Sequence, residues 1–254
     1  MALIDDIYGN LNEMFSGIQG EGLLIGYRQV FIRMNGCNLD CQYCDTPIAK
    51  GITDKCRIER SAGSRVFAYE PNPVDYRLIS SSVSNLCAAE GLHHSVSITG
   101  GEPLCQPDFV ANLAGDLKSK GMKVMLETNG TLTNALIDVL PYLDVISMDI
   151  KLQSSSGNRD ILPIHESFLK AVESVFTYVK VVVSSATSLD EISSAAKLTA
   201  SVNPKMPFVI QPVSSSMTDT LAKPDSVLKW QAECCKYLSD VRVIPQSHKL
   251  IGQM

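Results

Sequence analysis

The chain has 254 residues, 45% of them hydrophobic and 19% charged, with a formal net charge of −5 and a pI near 5.4. That size suits one domain of the larger kind spanning 1–254, the acidic balance argues against direct nucleic-acid binding, and no apolar run approaches the length of a membrane span. The start, Met1-Ala2-Leu3-Ile4-Asp5-Asp6, lacks the basic-then-apolar pattern of an export signal, so a cytoplasmic, reducing setting is expected for the eight cysteines.

In chain order, the first predicted strand is Gln29–Met34, which runs into Cys37, Cys41 and Cys44. The stretch 47–73 is polar and mixed, with Arg57, Glu59, Arg60 and Arg65 around Gly63, and reads as an insertion forming a hairpin or a short helix. A helix over Val74–Glu90 leads to a strand over Ser95–Thr99. A helix over Asp108–Lys120, entered by Pro107 and stopped by Gly121, leads to Lys123–Glu127. Helices Asn134–Leu140, Ile164–Phe176, Leu189–Ser201 and Pro224–Leu238 precede strands Val145–Asp149, Tyr178–Ser184, Phe208–Pro212 and Asp240–Ile244. Most strands are nearly continuous Val, Ile, Leu and Met, the pattern of parallel strands covered by helices. Such alternation predicts right-handed βα units. Six or seven units are too few for an eight-stranded barrel, so the expected fold is α/β, an incomplete TIM-type barrel of mainly parallel strands. Its site should lie at the carboxyl ends of the strands.

Cys37, Cys41 and Cys44 are spaced C-x3-C-x2-C. Three thiolates leave one iron of a [4Fe–4S] cluster without a protein ligand, and that iron can bind a small molecule. Gly36 permits a tight turn at the start of such a loop. A closed zinc site would want four ligands, usually as two pairs; Cys56, Cys87, Cys105, Cys234 and Cys235 provide no second pair at a regular spacing. Thr99-Gly100-Gly101-Glu102-Pro103 follows a predicted strand directly. Its glycines allow close backbone approach to an amino-acid-like ligand, and Glu102 would add negative charge; alone, the segment reads first as a plain βα turn.

Together the cysteines and the Gly-Gly-Glu-Pro turn resemble the radical S-adenosylmethionine (SAM) superfamily. The resemblance implies that the open iron chelates SAM and that reductive cleavage of its sulfonium yields a 5′-deoxyadenosyl radical. Further segments are similar to the 7-carboxy-7-deazaguanine synthases of queuosine and deazapurine biosynthesis: Phe15-Ser16-Gly17-Ile18-Gln19-Gly20-Glu21-Gly22, Phe31-Ile32-Arg33, Cys44-Asp45-Thr46 and the tail Pro245–Met254. This likeness runs from about Tyr8 to Met254. It implies a lyase that converts 6-carboxy-5,6,7,8-tetrahydropterin to 7-carboxy-7-deazaguanine with loss of ammonia.

The resemblance assigns roles residue by residue. Glu21, with Ile18, Gln19 and Gly20 beside it, would take the donor edge of the pterin, and Arg33 its carboxylate through a planar fork. Thr99 would also touch substrate. Thr46 would hold Mg2+ with substrate oxygens and waters, although a threonine there also reads as a turn cap. His248 and the carboxylate of Met254 would contact the pterin as the segment 240–254 returns to the site. Gly101, Glu102, Glu127, Ser147, Asp149, Lys151 and Gln211 fall at strand ends on the SAM side. Each of these also reads as a cap or a turn residue. The family implies a reductase or flavodoxin-type electron donor and a homodimer. Two departures stand out: relatives often read Ser-Pro-Lys where this chain has Ser147-Met148-Asp149-Ile150-Lys151, and often end in proline where it ends in Met254. His93-His94 and Cys234-Cys235 carry no family role and read as a loop pair and a helix pair. Rival readings are a glycyl-radical activase, which leaves Glu21, Arg33 and the tail unexplained, an electron-transfer iron–sulfur protein, and a zinc-binding module.

Overall fold

The computed structural model describes residues 6–44, 46, 51–159, 161–214 and 221–253. Twelve strands lie among them: β1 Tyr8–Gly9, β2 Leu11–Ile18, β3 Arg28–Met34, β4 Lys55–Glu59, β5 Phe67–Pro71, β6 Val74–Asp75, β7 Ser95–Gly100, β8 Val124–Thr128, β9 Val145–Ile150, β10 Phe176–Val183, β11 Phe208–Pro212 and β12 Val241–Val243. Ten of these form one sheet in the order β12-β11-β10-β9-β8-β7-β3-β2-β4-β5, while β1 and β6 pair separately. From β3 through β7 to β12 every pairing is parallel. β2 runs antiparallel to β3, and β4 and β5 form an antiparallel hairpin beyond it. The sheet has two edges, at β12 and β5, so the barrel is open as the strand count predicts.

The helices are α1 Tyr76–Leu86, α2 Pro107–Ser119, α3 Thr133–Val139, α4 Gln153–Ser156, α5 Leu162–Ala171, α6 Leu189–Val202, α7 Pro224–Cys234 and α8 Ser247–Leu250. Their starts follow the local chemistry. The Asp75 carboxylate accepts from Arg77 N at 2.7 Å, and the Ser188 hydroxyl accepts from Glu191 N at 3.1 Å. Pro107 opens α2, where its missing N–H costs nothing. Apolar stripes such as Ile79, Val83 and Leu86 on α1 turn inward against the sheet.

The strands carry two different faces. Val30, Ile32, Val96, Ile98, Leu126, Ile146, Met148, Val179, Val181 and Ile210 pack outward against the helices in the main core. At the intervening positions the inner face bears Arg33, Ser97, Thr99, Glu127, Ser147, Asp149, Lys180 and Gln211. A second, smaller cluster of Met125, Val145, Tyr178, Val209 and Ile244 plugs one end of this interior, with Leu23 and Leu24 packed on it. Those leucines belong to the loop between β2 and β3.

Strand β2 is a finding that the strand-and-helix reading lacks: Asn12, Glu13 and Ser16 interrupt its apolar positions. The hairpin β4–β5 fills most of 47–73 and is one of the two forms expected there; 47–50 lies outside the described residues. The tail crosses the open side of the barrel. Ser247 N donates to Gly20 O at 2.9 Å, and Arg65, in the β4–β5 turn, donates to Gln253 Oε1 at 3.2 Å.

Candidate active site

The inner face, the cysteine loop and the tail enclose a cavity of about 380 Å³. Cys37, Cys41 and Cys44 form one end of it as half-buried free thiols. The loop that carries them is tied to its surroundings at several points. Asn35 Nδ2 donates to Leu11 O at 3.0 Å, Glu102 N to Gly36 O at 2.8 Å, and Asn129 Nδ2 to Asn38 Oδ1 at 2.8 Å. Burial pushes the Cys37 and Cys41 thiols above their ordinary pKa, so metal binding there must displace protons. Among the described residues no three His, Cys, Asp or Glu side chains converge closely enough to hold a single ion. Three thiols along one cavity wall fit a polynuclear cluster better than one tetrahedral zinc.

The Gly-Gly turn ends β7 beside this loop. Gly100 has φ +117°, and a Cβ there would come within 2.4 Å of Met34 N, so only glycine allows β7 to close against β3 at this point. Gly101 lines the cavity. Glu102 does not. Its carboxylate is fully buried behind the turn, accepting from Asn129 N at 2.7 Å, Thr128 Oγ1 at 2.8 Å and Leu104 N at 3.0 Å. Burial raises its pKa despite those donors. The expectation of a charge offered to a ligand is therefore corrected: Glu102 braces the strand ends, because backbone donors around the turn converge on it.

Glu21 sits at the opposite end. Burial would raise its pKa, but the Lys180 ammonium, aided by Gln246, wins and brings it down to about 2. Lys180 donates to Glu21 Oε2, and Gln246 Nε2 donates to Oε1 at 2.6 Å. Glu21 is thus held as a carboxylate with lone pairs left for a donor edge. Lys180 also lies 3.7 Å from Asp149, which accepts from Lys151 at 2.7 Å. Burial opposes the charge on Lys151, and Asp149 restores it. Lys151 in turn lies 5.1 Å from the centre of the Tyr43 ring in the cysteine loop. Alternating charges therefore run from Glu21 to the cluster end.

Arg33 lies on the wall between these ends. Its Nε donates to Glu13 Oε1 at 2.9 Å and its Nη1 to Thr46 Oγ1 at 3.1 Å. Glu13 is buried and also accepts from Arg57 Nε at 2.8 Å. It clamps two guanidinium groups and fixes the direction of Arg33. Glu127 gathers Ser97 Oγ at 2.8 Å, Gln19 Nε2 at 3.0 Å and Thr99 Oγ1 at 3.2 Å. His248 packs on Gly20, and Gln211 has a buried Oε1 without a partner among the described residues.

Ile18, Gln19, Gly20, Glu21, Arg33, Thr46, Thr99, Gly101, Glu127, Ser147, Asp149, Lys151, Gln211 and His248 all line this one cavity with the three cysteines. Met254 and Asp45 lie outside the described residues. Sequence reasoning missed Glu13, Lys180 and Gln246. Lys180 left a signal, a lone cation inside Tyr178-Val179-Lys180-Val181-Val182. His93 and His94 stay away from the cavity: His93 Nε2 is 2.8 Å from Ser16 Oγ, and the His94 ring packs tilted against Tyr27 with centroids 4.4 Å apart.

The sequence pattern of the Radical SAM superfamily matches residues 31–189. A 7-carboxy-7-deazaguanine synthase from Geobacter sulfurreducens is 43% identical over 96% of this chain and 97% of that one. The chain is a radical SAM enzyme of the 7-carboxy-7-deazaguanine synthase family. Another member, from Methanothermobacter thermautotrophicus, is 36% identical over 94% of this chain and 96% of its own. The crystal structure of QueE from Escherichia coli has the same fold, with a TM-score of 0.62 at 22% identity and 94% of each chain covered. The enzyme has no helix among its described residues long and apolar enough to cross a membrane.

Proposed function

We propose that the enzyme converts 6-carboxy-5,6,7,8-tetrahydropterin to 7-carboxy-7-deazaguanine with loss of ammonia, as a carbon–nitrogen lyase of deazapurine synthesis. The observation that carries this reading is one cavity with three cluster-spaced thiols at one end and a fixed carboxylate, Glu21, at the other. When bound, the [4Fe–4S] cluster and SAM supply the hydrogen-abstracting chemistry. The protein's own part is to bind, orient and exclude water. Glu21, kept ionised by Lys180, accepts hydrogen bonds from the guanidine-like edge of the pterin. Arg33, aligned by Glu13, takes the substrate carboxylate, and Thr46 at its side would offer a hydroxyl oxygen to Mg2+, which would draw its other ligands from substrate oxygens and waters. His248 and the tail cover the pterin. Asp149, Ser147, Lys151 and Gln211, whose buried Oε1 has no partner among the described residues, suit the polar groups of SAM.

The reading extends to a cytoplasmic setting, a homodimer and a reductase or flavodoxin-type donor. The test is anaerobic incubation of reconstituted enzyme with reductant, SAM, Mg2+ and the carboxylated pterin. The carboxylated deazaguanine is the expected product. Turnover of SAM without it, or a preparation holding about one zinc per chain, overturns the reading.

A further inference from the structure

Asn158 has no part in the machinery described above, yet its side-chain amide donates to Cys41 Sγ at 3.2 Å. The segment carrying it is docked on the cysteine loop. Gln42 N donates to Ser156 O at 2.9 Å, and Asn158 N donates to Ser156 Oγ at 3.2 Å. Ser156 itself is fully buried. Between them Gly157 ends α4 at φ +74°, with a site for Cβ only 2.7 Å from Gln42 Cδ. The left-handed φ favours glycine, and a side chain there would displace the Gln42 side chain. The turn after α4 therefore aims one neutral donor at one of the three sulfurs.

Resting on the reading of Cys37, Cys41 and Cys44 as cluster ligands, we propose that Asn158 tunes the reduction potential of the cluster through Cys41. Reduction adds negative charge to the cluster, and its thiolate ligands share that charge. An N–H dipole pointed at a ligand sulfur stabilises the more negative state and so raises the potential. Asn158 does this without contributing a net charge, from a half-buried position beside the loop. Lys151, whose charge also reaches Cys41, is held separately by Asp149 at 2.7 Å.

The experiment compares unaltered enzyme with Asn158→Leu, Asn158→Asp and Asn158→Gln, all reconstituted anaerobically. Iron and sulfide are counted, and the cluster is titrated by electron paramagnetic resonance without SAM or substrate. The expected result is equal iron content, a downward shift of potential in Asn158→Leu, and a larger one in Asn158→Asp, which loses the donor and gains a negative charge. Asn158→Gln, which keeps an amide donor, should fall closest to the unaltered enzyme. If Asn158→Leu does not accumulate, the aspartate variant, equal in size to asparagine, carries the same test. An unchanged potential at equal iron content overturns the proposal. Loss of iron with the remaining clusters at the original potential also overturns it, since Asn158 would then only brace the loop. A failure of the unaltered enzyme to hold a four-iron cluster removes the reading beneath, and is distinguished by the iron count alone.

Discussion

Replacing Lys180 by methionine removes the cation that keeps Glu21 ionised in the cavity wall. The two side chains retain only 11% and 17% of their exposure, so solvent screens their attraction weakly. Lys180 and Gln246 carry the Glu21 pKa from 4.5 to about 2 against the opposing pull of burial. A displacement of that size corresponds to roughly 3 kcal/mol. Because the native pKa is the lower one, this stabilisation is complete above 4.5 and is lost as pH falls through about 2. Methionine fills the space of the lysine stem but offers no donor, leaving Glu21 with Gln246 alone. Removing one member of a buried pair costs about 3–5 kcal/mol. Asp149 loses its 3.7 Å neighbour but keeps Lys151 at 2.7 Å, so the damage centres on Glu21. With a urea slope of about 2–3 kcal/mol/M, the midpoint at pH 7 should fall by about 1–2.5 M. At pH 5 the variant should recover part of the loss, because an unpaired buried Glu21 takes up a proton; the unaltered enzyme has no such gain. Adding Glu21→Gln to the methionine variant should restore stability, since no buried charge is then left alone. Urea unfolding followed by circular dichroism at both pH values is the assay. A midpoint shift below about 0.3 M, or an equal loss at both pH values, would refute the reasoning.

Glu13→Ala should free both Arg33 and Arg57 and raise KM for the pterin about 10- to 100-fold, the worth of a charge-assisted hydrogen bond, with iron content unchanged. Arg33→Lys keeps the charge but not the fork, so it should weaken substrate binding while sparing the cluster; an equal loss of bound iron would show that Arg33 serves the cysteine loop instead. In Gly20→Ala the new Cβ would lie 2.3 Å from His248 Nδ1 and 2.5 Å from its backbone N. The tail should be displaced, which trypsin should report as faster cleavage after Lys249.

The parallel part of the sheet was legible because its strands are long apolar runs separated by helices with recognisable entries. Pro107 and Gly121 mark the bounds of α2 closely, and the predicted strands from Gln29–Met34 to Asp240–Ile244 correspond to β3 and β7 to β12. β2 was not legible as a strand. It mixes Asn12, Glu13, Ser16 and Gly17 with its apolar residues, and although its partner β3 follows after a short loop, its other partner β4 lies in the mixed stretch 47–73. The resemblance drew its second half into a binding motif before its geometry was considered.

The site was legible wherever spacing alone carries chemistry, as in the cysteines, and illegible wherever chemistry depends on which face of a strand a residue occupies. A buried parallel strand reads as one apolar run, and a single polar residue inside it looks like an interruption. In an open barrel the same residue has a defined direction. Outward positions meet helices and must be apolar, whereas inward positions meet a ligand and can be charged. Thr99, Glu127, Ser147, Lys180 and Gln211 are such inward positions on five successive strands, β7 to β11. Reading the period of two against a curved sheet would have placed Lys180 beside Asp149, because the parallel register sets those two residues opposite one another on β10 and β9. Gln246 and Glu13 need a further step. Their partners are Glu21 and Arg33, and only closure of the tail and pairing of β2 bring them together. Residues that recognise ligands thus follow from strand direction, and residues that hold those recognisers in place follow only from the complete chain path.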